Sequence, residues 1–397
     1  MPRAPQCSVP CSSLWLASVA LVVHAGLSSS QYQRPVVGAG KRAGFMERTL
    51  ILLDVDTHRP IRVLNDNFLS LQLDPAIIKD GWLDFLSSKR LVTLARGLSP
   101  AYLRFGGKRT DFLQFHNLKN LAKFRGPGPD YYLKNYEDGA SYYMDGRVRK
   151  VEDFLKTRLL DTLSEQINKV FKVVHSHAPG KKVWLGGVGP AWAAGTNNLS
   201  DTYAAGFLWL NTLGMAAAQG VDVVLRHSLF DYGYTHLVDQ HFNPLPDYWL
   251  SLVFKRLVGP RVLAVRVAGL QRKPRPGRVI RDKLRIYAHC TSSSSHNYVK
   301  GSITIYIINL HRSRKKIKLA GTLRNKTVHQ YLFQPYGADG LHAKYIQLNG
   351  QKLVMLDDGA FPELSPVALR AGRTVVMPPM SIGFYVIKNI NAYACRR

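Results

Sequence analysis

Up to Leu257 the chain alternates short apolar runs with helical periods, and beyond Gly259 it does not; this change of rhythm constrains the fold most. The first part reads as βα units feeding a parallel sheet. Thr49–Val55 is a buried strand, Phe68–Leu73 an alternating strand ending at Asp74-Pro75, and Ala101–Gly107 a strand closed by a glycine pair. Helical spacing covers Trp82–Leu94, Val151–Val174, Thr202–Gln219 and Tyr248–Leu257. Lys182–Gly186 and Val221–Arg226 read as further buried strands. After Gly259, short strands separated by turn residues (Val262–Val267, Leu284–His289, Ile303–Leu310, Val375–Met377, Phe384–Ile387) predict an all-β sandwich.

The first residues carry Arg3, then the apolar run Leu14–Val23, then small residues around Ala25, Gly26 and Ser28. That order predicts a signal peptide over 1–28, followed by a flexible spacer over 29–48. The run falls short of the roughly 18 to 20 residues a bilayer span needs, so no transmembrane segment is expected. An oxidising destination leaves Cys290 and Cys395 as one bridge or as two buried thiols. It also makes Asn198-Leu-Ser and Asn325-Lys-Thr usable N-glycosylation sequons.

Charge narrows the partners. With 54 Lys plus Arg against 26 Asp plus Glu, the net charge is +28, a surface that seeks a polyanion. Residues 259–397 alone hold 24 basic and 5 acidic side chains. Two runs dominate: Arg272, Lys273, Arg275, Arg278, Arg281, Lys283 and Arg285, then Arg312, Arg314, Lys315, Lys316 and Lys318. If the second run is extended, Arg312, Arg314, Lys316 and Lys318 share a face at about 7 Å spacing, a ladder for sulfates along a glycan; at a hairpin tip the charges would splay. Secretion demotes nucleic acid and promotes sulfated glycans.

Thr93–Gly107 followed by Thr110-Asp-Phe-Leu113, with Ser200–Leu210 and Asn243–Leu252, closely resembles the heparanases of glycoside hydrolase family 79. The resemblance spans Leu50 to Cys395; Arg272-Lys-Pro-Arg-Pro-Gly-Arg and Phe112-Leu-Gln-Phe resemble the branch regarded as non-catalytic. It implies a (β/α)8 TIM barrel over 61–258, an appended basic β-sandwich over 259–397, and an early strand, 49–57, contributed to that sandwich. Heparan sulfate and its proteoglycans are the implied partners, with an active heparanase as a further candidate. No cofactor and no metal are implied.

Active relatives use retaining endo-β-glucuronidase chemistry, which needs an acid/base and a nucleophilic carboxylate about 5 to 5.5 Å apart. In Trp184-Leu-Gly-Gly187, Gly187 stands at the nucleophile's position, and the chain has no Asn-Glu pair to supply the acid/base. The resemblance breaks near Asp138-Gly139, where the central βα units are missing. Asp74, Tyr142, Arg147 and Gly233 match substrate-cleft positions; the tyrosine expected two residues after Gly233 is Thr235, with Tyr234 beside it. Asp222, Asp231 and Asp239 read as loop and cap residues, and His175, His177, His236 and His241 lack metal-ligand spacing. The expected protein is a secreted, non-catalytic heparan sulfate binder. An active endo-β-glucuronidase and an unstable splice product or gene model are the alternatives.

Overall fold

The computed structural model describes residues 50–74, 77, 87–106, 150–191, 195–230, 234–269, 283–294 and 297–396. Its first strand, β1 (Leu50–Val63), runs past the expected end at residue 57 and belongs to the large sheet described below. Then come β2 (Leu69–Leu73), helix α1 (Lys89–Gly97), β3 (Leu103–Phe105), a 3-10 turn (Val151–Leu155) and α2 (Thr157–His177). After them come β4 (Trp184–Val188), α3 (Tyr203–Gln219), β5 (Val223–His227) and α4 (Pro246–Leu257).

Strands β2 to β5 form one parallel sheet in the order β3-β2-β5-β4. Helix α3 is apolar on every side, and all its residues from Tyr203 to Ala217 are buried. A helix of that kind can sit only inside. Its Trp209 Nε1 donates to Ser251 of α4 at 2.8 Å, and Tyr203 OH donates to the carbonyl of Phe333 at 3.1 Å. At Gly214 a Cβ would stand 2.4 Å from atoms of the Tyr287 ring, so only glycine lets helix and sheet approach this closely. Among the described residues, the strand at Lys182–Gly186, expected to be buried, lies at the edge of the sheet, and Trp184 is 49% exposed.

The β module comprises β6 (Val258–Gly269), β7 (Leu284–Thr291), β8 (Ile303–Asn309), β9 (Lys315–Leu319), β10 (Val328–Pro335), β11 (Ile346–Leu348), β12 (Gln351–Lys352), β13 (Val367–Leu369), β14 (Val375–Met377) and β15 (Ser381–Ile387). Where two stacked sheets were expected, hydrogen bonds join these strands and β1 into one sheet of 11. β1 pairs antiparallel to β6 and parallel to β9. The sheet curls over: Tyr385 OH of β15 donates to Met377 Sδ of β14 at 2.8 Å, although five strands separate them in the ladder. Alternate residues such as Ile51, Leu53, Ile305, Ile317 and Ile387 pack into the enclosed core. The opposite faces of β8, β10 and β15 present Tyr306, Tyr331 and Phe384 to the core shared with the helices. Cys290 and Cys395 are disulfide-bonded, with Cα atoms 5.3 Å apart.

Candidate functional site

In parallel βα architectures the chemistry sits where strands end at their carboxyl side. Here that end gathers Gln72 and Asp74 from β2, Arg104 and Gly106 from β3, Gly187 from β4 and His227 from β5. Gln72 is its hub. Its amide Nε2 donates to the Gly106 carbonyl at 2.9 Å and lies 3.2 Å from His227 Nδ1, and its Oε1 accepts from Arg104 Nη1 at 2.6 Å. An amide nitrogen only donates, so Nδ1 accepts and the neutral imidazole keeps its proton on Nε2. Burial, then the cations of Arg226 and Arg104, hold His227 down to about 4 despite Asp74 nearby. The ring is neutral at physiological pH.

Gly187 lies opposite this hub with φ +69°, in the left-handed region. A Cβ there would stand 3.2 Å from Gln72 Oε1 and 3.8 Å from Arg104 Nη1. Asp222 precedes β5 and pairs with Lys182 at 3.4 Å at the amino end of the sheet, away from this cluster. Asp239 caps its own loop, with Oδ1 accepting from the backbone N–H of His241 and Asn243, both at 2.8 Å. Asp231 lies outside the described residues, as do Tyr142, Arg147 and Gly233. Thr235 is buried and passes its carbonyl to Arg226, while Tyr234 is exposed. His175 and His177 are exposed on α2, and His236 is buried. Among the described residues, no group of three or more His, Cys, Asp or Glu is placed to hold a metal ion.

Gln72, Arg104 and His227 were not singled out from sequence. A signal existed for Gln72: Ser70 and Gln72 are polar at period two inside an apolar strand, which points both into one face. Arg226 carries a similar mark, closing the apolar run Val223-Val-Leu.

The second cluster is basic. Arg272, Lys273, Arg275, Arg278 and Arg281 lie outside the described residues. Lys283, which follows them, accepts through its carbonyl from Leu310 N at 2.8 Å, so the first basic run ends beside the start of the second. Lys283, His311 and Lys315 sit close enough to act on one another. Burial, then Lys315 and Lys283, hold His311 down to about 4. Burial, then Lys283, lowers Lys315. The extended ladder from Arg312 to Lys318 is only half present. Arg312 and Arg314 are exposed in a bend that Asn309 Nδ2 fastens by donating to the Ser313 carbonyl, and the strand starts at Lys315. Lys316 and Lys318 share one face of β9, while Lys315 points the other way beside buried Ile317. Arg285 is held by Asp161 of α2 in a two-pronged pair, with Nη2 to Oδ2 at 3.0 Å. Its fork is therefore engaged by a carboxylate of the same chain. Asn198 and Asn325 are exposed.

Residues 142–214 match the family described as Glycosyl hydrolase family 79, N-terminal domain. Inactive heparanase-2 of Homo sapiens is 49% identical over an alignment of 578 positions that takes in 99% of this chain and 97% of that one. The chain belongs to the heparanase family. Heparanase of Mus musculus is 46% identical over 254 residues, 64% of this chain and 46% of that protein. Among solved structures, a 4-O-α-L-rhamnosyl-β-D-glucuronidase from Fusarium oxysporum shares the fold of this heparanase-family chain. Its TM-score is 0.52 at 10% identity, over 85% of this chain and all of that one. Against 397 residues, an alignment of 578 positions leaves at least 181 without a counterpart in this heparanase-family member. No helix among the described residues is long and apolar enough to cross a membrane.

Two histidines, half-buried His227 and buried His289, make this heparanase-family protein acid-labile. His227 and His289 are both held near 4, chiefly by burial, against about 6.5 in an unfolded chain. Between those values the unfolded state binds more protons, so stability falls as pH drops from about 6.5 to 4. Urea midpoints measured at pH 7, 5.5 and 4.5 should decline in that order; replacing His289 by glutamine should flatten the decline.

Proposed function

We propose that this is a secreted, non-catalytic member of the heparanase family that binds heparan sulfate through its β module and competes for it with an active heparanase. The observation that carries the binding half is the meeting of the two basic runs at Lys283, His311 and Lys315, with Arg312 and Arg314 exposed beside them. Arg272, Lys273, Arg275, Arg278 and Arg281, which precede Lys283 in the sequence, are the further cations we assign to heparan sulfate binding. Lys316 and Lys318 extend the basic cluster along β9, and Arg285 braces it from within.

The non-catalytic half rests on the strand ends. Gly187 has no carboxylate to attack an anomeric carbon, and the groups around it are an amide, a guanidinium and a neutral imidazole. Its relatives named inactive heparanase-2 support this reading. Four parallel strands among the described residues, and at least 181 unmatched alignment positions, support a barrel lacking its central βα units. Asp74 and Tyr234 remain candidate cleft contacts. Secretion is supported by the apolar run Leu14–Val23 and by the disulfide, and Asn198 and Asn325 are exposed as glycan acceptors would be.

Each cation that meets a sulfate releases counterions, so affinity should fall steeply with salt. Charge reversal at Arg272, Lys273, Arg275 and Arg278 should lower the salt needed for elution from heparin. The same number of reversals on the barrel portion should do less. Sulfates that offset Lys283 and Lys315 would also let His311 take up a proton, so elution should need more salt at pH 5.5 than at pH 7.5. His311→Ala should shrink that difference. Equal shifts from both reversal sets would mean a diffuse polycation and overturn the assignment.

A further inference from the structure

A cavity of about 150 Å³ lies where the loop after β5, the turn before α3 and the β10–β11 connection meet. Its walls include Asp201, Tyr234, Asp239, Gln240, Lys344 and Tyr345. Tyr234 and Tyr345 are 41% and 45% exposed, so each presents ring surface to whatever enters the pocket. The ammonium of Lys344 is fixed by Asp201 Oδ2 at 2.7 Å and Asn197 Oδ1 at 2.6 Å, leaving one of its three donors over. Lys352 lies 4.1 Å from the Tyr345 ring centre and covers one face of it.

Of the charged side chains that line this pocket, Asp201 and Asp239 outnumber Lys344, in a chain whose net charge is +28. Asp201 is buried, and its Oδ1 has no hydrogen-bond donor. A sulfate entering here would meet two carboxylates. Hydroxyl groups would instead find acceptors, a fixed ammonium donor and aromatic rims.

We propose that this pocket is a subsite for an uncharged pyranose ring, separate from the basic surface of the β module. Such a ring could come from two sources. One is a glycan on another molecule. The other is the chain's own glycan at Asn198, whose carbonyl accepts from His342 Nδ1 at 3.0 Å in the connection that carries Lys344 and Tyr345.

The probe is N,N′-diacetylchitobiose, followed by saturation-transfer NMR on the full chain before and after enzymatic removal of N-linked glycans. Transfer is expected at 0.15 M and 0.5 M NaCl alike, should survive Arg312→Glu, and should drop at least tenfold in the Tyr345→Ala variant. Transfer only after glycan removal identifies the chain's own sugar as the natural occupant; transfer in both states identifies an external one. Tyr345 is exposed, so its loss should leave the fold intact, which the thermal midpoint checks. No transfer in either state, or undiminished transfer in folded Tyr345→Ala, overturns the proposal. Binding that fades with salt in step with heparin elution does the same.

Discussion

Replacing Arg226 by methionine should cost about 3–5 kcal/mol of stability, since it removes one partner of a buried ion pair and leaves the other charge unpaired. Arg226 of β5 and Asp247 of α4 are 1% and 4% exposed and meet at 2.8 Å. Burial pushes the Asp247 carboxyl up, and the Arg226 guanidinium opposes that push. The same guanidinium donates to the carbonyls of Thr235, at 2.7 Å, and His227, and stacks 5.2 Å from the Trp209 ring centre. One side chain thus binds strand end, helix and loop together. In a thermal melt the loss should appear as a drop on the order of 10 °C. The double variant Arg226→Met with Asp247→Leu should recover a substantial part, because no charge is then stranded. A single variant that melts like the parent would show that the pair contributes no net stability.

Opening the Cys290–Cys395 bridge should cost about 2–4 kcal/mol, the range expected for a cross-link closing a long loop. The bridge spans a sequence separation of 105 and ties β7 to the C-terminal 3-10 turn (Tyr393–Cys395), which packs against β1. Cys290→Ser with Cys395→Ser, and reduction of the parent with a thiol, should lower the urea midpoint by the same amount. If reduction lowers it and the double serine variant does not, the loss comes from thiol chemistry rather than from the missing cross-link.

Helix α3 and the strand–helix rhythm were legible because their signals are local. A helix apolar on every side has no other place to go, and period two marks a half-buried strand wherever it pairs. What the residues could not specify was pairing. The apolar runs Ile303–Leu310 and Phe384–Ile387 mark strands buried on both faces but not which strand lies alongside, so one curled sheet of 11 strands read as two. Lys182–Gly186 looked buried because Val183, Trp184 and Leu185 are apolar, and only the strand order among the described residues reveals an edge. The basic ladder failed at Ser313 for a reason far away in sequence: Asn309 also donates to the carbonyl of Pro378 at 2.6 Å, bending the chain before β9 can begin. Gly187 drew attention through a missing carboxylate. Its surroundings, Gln72 and Arg104, come from strands more than eighty residues earlier and were visible only once the sheet was assembled.

The central claim is that the protein holds heparan sulfate without cutting it. The direct test is to incubate the purified full chain with end-labelled heparan sulfate at pH 5.5 and 7.5, then measure bound label and chain length together. The expected result is salt-sensitive binding with no shortening beyond buffer alone, and no shortening by Gly187→Glu either. In that variant the new side chain would start 3.2 Å from Gln72 Oε1, on backbone at φ +69°, with no acid/base partner supplied. Shortening of the labelled chains by the unmodified protein, abolished by no change at the β module, would contradict the account.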